Sequence, residues 1–164
     1  MNTESAAAPE KSAAAVAAAR SAWLAFESGG EHWLVDLADA GEVLPVPALS
    51  QVPLTQPWFL GVANIRGSLF SVTDLATFHG GEATALQSHS RLLLVGARFG
   101  SNTALLVSRT HGLKSQTGLE AAGDGSVQAQ PWRGPRFRDG EGRLWTQLRL
   151  PDLLSTPQFL DVAA

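Results

Sequence analysis

Four prolines, Pro45, Pro47, Pro53 and Pro57, fall within thirteen consecutive residues. Each fixes its own φ and removes a backbone donor, so residues 44–58 are predicted to hold no long helix and no central strand, only edge strand or extended loop. Strand-like runs flank this stretch. Trp23-Leu24-Ala25-Phe26-Glu27, the turn Gly29-Gly30 and His32-Trp33-Leu34-Val35-Asp36-Leu37 read as a hairpin. Asp39 to Leu44 shows no strand alternation. Downstream, Phe59 to Gly67 and the apolar run Ser68-Leu69-Phe70-Ser71-Val72 precede one or two helical turns at Asp74 to Phe78, closed by Gly80-Gly81.

The second half repeats the plan. Arg91 to Ala97 reads as a strand, Gly100 as a turn and Thr103 to Val107 as the partner strand; Gly118 to Gly125 reads as polar loop. Asp139-Gly140-Glu141-Gly142 is a hairpin turn into Arg143 to Leu148, and Pro151 to Leu154 is a short helical turn. Gly67-Ser-Leu-Phe-Ser-Val-Thr-Asp-Leu75 and Gly142-Arg-Leu-Trp-Thr-Gln-Leu-Arg-Leu150 share glycine, leucine, aromatic, hydroxyl and leucine at matched positions 75 residues apart. This echo predicts a mainly β chain of two five-stranded barrels sharing a hydrophobic core, with short helical turns. The first barrel would span about residues 21–85 and the second 86–164, with room for strand exchange between them. Nine of the first twenty residues are alanine, and residues 1–20 are read as a flexible tail.

Composition narrows the chemistry. The absence of cysteine removes disulfides, thiolate metal sites and a Cys nucleophile. No apolar run reaches the about 18 to 20 residues of a membrane span, so a cytoplasmic location is expected. No nucleophile elbow, phosphate loop or His-x-x-x-His pair is visible, which predicts no enzyme activity, no cofactor and no metal. His32, His79, His89 and His111 are scattered along the sequence, and Asp139 with Glu141 read as turn residues. Trp132 to Arg138, with Arg143, Trp145 and Arg149 beyond, is the one stretch that could stack bases and hold phosphates. Against that, the net charge is −3 and ten of the twelve basic residues are arginine, a type favoured at protein interfaces. Charged residues make up only 16% of the chain, against about 25% on average, an undercharged surface suited to protein partners. Arg66, between Ile65 and Gly67, is either a solvated turn residue or a paired one, with Glu42 as its candidate partner.

The stretch Pro57-Trp-Phe-Leu-Gly61-Val-Ala-Asn64-Ile65-Arg66-Gly67, followed by an apolar strand and Asp74-Leu75, resembles the signature of CheW-like adaptor domains. Glu31-His-Trp33-Leu-Val35-Asp36-Leu37 and Gly41-Glu42-Val43-Leu44 are similar to the family's preceding segments. The resemblance spans about residues 21–155 and is most specific in the first half; Arg149 stands where the family has a second Asp. It implies two SH3-like five-stranded barrels and a non-catalytic role. That role couples the cytoplasmic tip of a methyl-accepting chemoreceptor to the regulatory domain of a CheA-type histidine kinase, in membrane-anchored receptor arrays. Carried over by position, the partner-binding groove would include Ala40, Glu42, Val43, Asn64 and Arg66, with Ala40 smaller than the aliphatic usual there. The type resembled most is the adaptor of type IV pilus twitching motility, with the flagellar adaptor as the alternative.

Overall fold

The computed structural model describes residues 22–124 and 130–164; the expected tail at 1–20 lies outside the described residues. The strands are β1 (Ala22–Ser28), β2 (Glu31–Asp36), β3 (Ala40–Pro45), β4 (Phe59–Ile65), β5 (Ser68–Asp74), β6 (Arg91–Val95), β7 (Thr103–Val107), β8 (Arg109–Ser115), β9 (Glu120–Asp124), β10 (Arg133–Arg138) and β11 (Leu144–Leu148). Three short helices, α1 (Leu75–Phe78), α2 (Leu150–Leu154) and α3 (Pro157–Leu160), complete the described fold with single 3₁₀ turns at Ala97–Phe99 and Gln116–Gly118.

The strands form two sheets, ordered β8-β1-β2-β11-β10-β9 and β3-β6-β7-β5-β4. Both halves of the chain contribute to both sheets. The hairpin β1–β2 pairs with β11 from the far end of the chain, while the hairpin β6–β7 pairs with β5 from the first half. Both of these junctions are parallel, and β5 and β11 are the two copies of the sequence echo. Each copy runs from its strand into a short helix, β5 into α1 and β11 into α2. Among the described residues no ladder joins the outer strands of either sheet, so the expected closed barrels are replaced by two open sheets of six and five strands.

Two segments without strand pattern are nonetheless strands. The stretch 39–44 overlaps β3 (Ala40–Pro45), an edge strand on β6 whose register shifts between Ala40 and Val43; that irregularity removes the alternation that would have marked it. The expected loop at 118–125 supplies β9, which among the described residues pairs only with β10 and is exposed along most of its length. Sheet edges need not bury a face, so the apolar pattern carries no signal there.

The central hairpins explain the unbroken apolar runs. Along β1, Leu24 and Phe26 enter the core between the sheets, while Trp23 and Ala25 line the opposite, inner face of the six-stranded sheet. Along β6 and β7, Leu93, Val95, Leu105 and Val107 join the shared core, and Leu92, Leu94, Ala104 and Leu106 line the inner face of the five-stranded sheet. A strand buried on both faces has no polar side to alternate. The shared core is closed by Trp33, Leu75, Trp132, Leu148, Leu150, Leu153 and Phe159, bringing all three helices onto it or beside it.

Residues 46–58 form a strap over the five-stranded sheet. Ser50 exchanges two backbone hydrogen bonds with Val62, N to O at 2.8 Å and O to N at 2.9 Å, and Gln56 N donates to Val162 O at 2.8 Å. Pro47, Pro53 and Pro57 thus sit in a segment held by isolated bridges, and Pro45 ends the edge strand β3, so their missing donors cost little.

Candidate partner-binding site

The tip of the β4–β5 hairpin is built by a two-residue turn. Ile65 pairs with Ser68, and the residues between them, Arg66 and Gly67, have φ of +52° and +84°. Positive φ at both central positions is the type I′ pattern, whose twist matches the flanking strands. Asn64 Oδ1 accepts from Gly67 N at 2.9 Å and fixes the turn. The left-handed backbone at a non-glycine residue carries the Arg66 side chain off the end of the sheet, where it is largely exposed.

There it meets Glu42. The Arg66 guanidinium donates to Glu42 Oε1, an ion pair between the β4–β5 tip and β3, the strand at the opposite edge of the same sheet. This hydrogen bond lowers the Glu42 carboxyl below its ordinary pKa and raises that of Arg66. An exposed ion pair contributes little stability, but here it links the two edges of a curled sheet like a clasp. Leu69, paired across from Asn64, is 62% exposed beside it. Sequence reading placed Leu69 in an apolar strand; only the hairpin register turns it outward.

The five expected groove residues divide. Glu42, Asn64 and Arg66 are exposed and share one end of the five-stranded sheet. Ala40 and Val43 are half-buried and pack against the core between the sheets. Nearby, Asp39 is paired with Arg98.

The arginine and tryptophan stretch does not present its tryptophans for stacking. Trp132 and Trp145 are each 1% exposed, so neither ring offers a face to a base. Arg133 is itself buried, stacks over Trp33 at 4.8 Å, and donates to both oxygens of Glu31 at 3.1 and 3.3 Å. Its charge is spent internally.

The histidines, scattered in sequence, are partly gathered in space. Glu27 lies between His32 and His111, each with Nε2 3.0 Å from one of its carboxylate oxygens. Burial alone would raise the Glu27 pKa, but the His111 hydrogen bond and the charges of His111, His32 and Arg109 bring it below its ordinary value. Burial lowers that of His32, aided by Arg143 and His111 against the pull of Glu27. The signal for this cluster was the hairpin register, which sets Glu27 directly opposite His32.

Two curled sheets with exchanged strands, one shared core and a charged clasp beside an exposed leucine define a two-sheet β module with its distinctive side chains on a rim. The chain belongs to the CheW-like domain family, whose model matches residues 22–158. It is 38% identical over 72 residues to Protein PilI of Pseudomonas aeruginosa, covering 44% of this chain and 40% of that protein. The chain therefore matches less than half the length of that curated relative. Its fold is similar to the crystal structure of the scaffolding protein TtCheW from Thermoanaerobacter tengcongensis, with a TM-score of 0.68 at 19% identity over 80% of this chain and 90% of that one.

Proposed function

We propose that this chain is a non-catalytic adaptor that couples the cytoplasmic tip of a methyl-accepting chemoreceptor to the regulatory domain of a CheA-type histidine kinase, in a type IV pilus twitching pathway. The observation that carries this reading is the CheW-like match across residues 22–158, with the likeness to PilI favouring the pilus branch. Each curled sheet acts as an incomplete SH3-like barrel. One presents the clasp; the outer strands of the other are open to a second partner. Glu42 holds the Arg66 guanidinium in place, so less side-chain freedom is lost when a partner carboxylate or carbonyl engages it. Leu69 adds apolar contact beside that charge. Individually weak contacts suffice, because membership of an array supplies multivalency. Binding here is within the cytoplasm, against arrays anchored in the membrane by the receptors; among the described residues no helix is long and apolar enough to cross a membrane.

The test is titration of the wild-type chain and Arg66→Ala with the receptor tip and the kinase regulatory domain separately. Arg66→Ala weakens at least one affinity by about ten-fold, equivalent to about 1.4 kcal/mol, while the melting temperature holds. Unchanged affinity for both partners refutes the site.

A further inference from the structure

Glu27, His32 and His111 meet at the rim of the inner face of the six-stranded sheet. Glu27 and His32 are cross-strand partners on β1 and β2, and His111 arrives from β8. One donor atom from each falls within 4.8 Å of the other two, and Glu27 Oε1 and Oε2 stand 3.0 Å from His32 Nε2 and His111 Nε2. Both imidazoles lie edge-on to Trp145, at 5.1 and 5.8 Å.

The backbone is built to bring His111 there. Ala25 pairs with Gly112 and Phe26 with Thr110, so His111 is the extra residue of a β-bulge, without a partner of its own in β1. A bulge re-aims a side chain that regular pleating would point elsewhere. Here it turns an edge-strand imidazole toward the carboxylate of the neighbouring strand.

We propose that Glu27, His32 and His111 form a binding site for a divalent transition metal of the zinc class. Two imidazoles and one carboxylate are a zinc donor set, and imidazole selects zinc, copper and nickel over calcium and magnesium. Metal–nitrogen and metal–oxygen bonds of about 2.0 to 2.2 Å place tetrahedral ligands about 3.3 Å apart, close to the two 3.0 Å carboxylate–imidazole separations, with all three donors inside 4.8 Å. Small rotations of three side chains therefore make room for the ion. The metal takes the Nε2 lone pair of each imidazole, and any proton at Nε2 passes to solvent or to Nδ1. His111 is exposed, leaving a fourth position open to water. The charges of Arg109 and Arg143 reach this cluster and weaken binding relative to a carboxylate-rich site. Because β8 is an edge strand beside β1 among the described residues, an ion here ties it to the β1–β2 hairpin.

The experiment is calorimetric titration of chelator-treated, tag-free full-length chain with zinc chloride at about pH 7.5, because protons compete with metal for the ligand atoms at lower pH. One zinc binds per chain in the micromolar range, and saturating zinc raises the melting temperature, since the ion binds only the folded arrangement. The His32→Ala/His111→Ala double variant, checked by circular dichroism without metal, loses at least about 30-fold in affinity with two of its three ligands gone. His89→Ala, outside the cluster, binds as wild type. Cobalt(II) gives visible bands of a four-coordinate site in wild type and none in the double variant. The proposal is overturned if zinc shows no saturable binding, or if the folded double variant binds as tightly as wild type. It is also overturned if His89→Ala, rather than the double variant, abolishes binding.

Discussion

Gly61→Ala should be among the most damaging single-methyl additions to this protein. Gly61 sits in β4 at a register irregularity, is buried, and has φ of +120°, a region that L residues rarely enter. Holding alanine there costs about 1 to 3 kcal/mol of backbone strain. A methyl would also stand 2.0 Å from Ser50 O and 2.8 Å from Ser50 C, both backbone atoms of the strap. The strap must lift, breaking the Ser50–Val62 pair of hydrogen bonds at about 1 kcal/mol each. The sum is about 3 to 5 kcal/mol, or a fall in melting temperature of about 10 to 15 °C for a domain of this size. Gly67→Ala is the matched control: its φ is +84°, but nothing lies within 4 Å of the added methyl. It pays only the conformational cost of about 1 to 2 kcal/mol. Urea unfolding followed by tryptophan fluorescence reads both. Equal losses in the two variants, or a loss below about 1 kcal/mol for Gly61→Ala, would refute the close strap contact as the cause.

Three further outcomes are expected. Asp74→Ala should cost about 2 to 3 kcal/mol in denaturant unfolding, because this buried carboxylate caps α1 through Ala76 N at 3.2 Å and also accepts from Thr77 Oγ1 and from the Thr84 N and Oγ1 at 2.9, 2.8 and 2.6 Å. A loss under about 0.5 kcal/mol would mean that water replaces those bonds. Trp58→Ala should cost about 2 kcal/mol in the same assay, since the ring is half-buried against Phe78 and Phe159, at 5.1 and 6.2 Å, rather than enclosed; a melting curve matching wild type would contradict it. Stability should fall as pH drops below 6.5, the ordinary histidine value. Burial against Trp33 and Trp132 depresses the His79 pKa, with Arg133 adding to this and Glu31 opposing it. A group depressed in the folded state contributes fully above its unfolded pKa and loses that contribution as pH falls toward its folded one. His32 acts in the same direction, so melting curves between about pH 7.5 and 5.5 should decline less in His79→Gln without becoming flat. An identical pH profile in wild type and variant would remove His79 from the explanation.

Central hairpins were the most legible part of the fold, because Leu92 to Val95 and Thr103 to Val107 are buried on both faces and their apolar runs survive any register. The echo at Gly67 and Gly142 marked β5 and β11 as equivalent segments, but that each joins a hairpin in parallel is set by long-range pairing that no local pattern states. Edges were hidden: β3 is broken by a bulge, and β9 presents Glu120, Ala121 and Asp124 to solvent. Glu42 was legible in the sequence only as a candidate partner for Arg66, because a turn arginine can equally stay solvated; the hairpin tip and β3 bring the two together. Ala40 and Val43 could not be separated from them, since facing the shared core depends on where β6 places β3. The Glu27, His32 and His111 cluster stayed out of sight for a similar reason. Its third member arrives through a bulge in β8, a strand whose residues, mostly polar and exposed, gave no sign of being one.

The most direct measurement is whether the chain brings a receptor tip and a kinase regulatory domain into one complex. Light scattering coupled to size-exclusion chromatography, on equimolar mixtures of the three components, reads the mass of each species. The proposed role predicts a species containing all three that forms only when this chain is present and diminishes with Arg66→Ala. Binding to neither component, or to each only in the absence of the other, would contradict it.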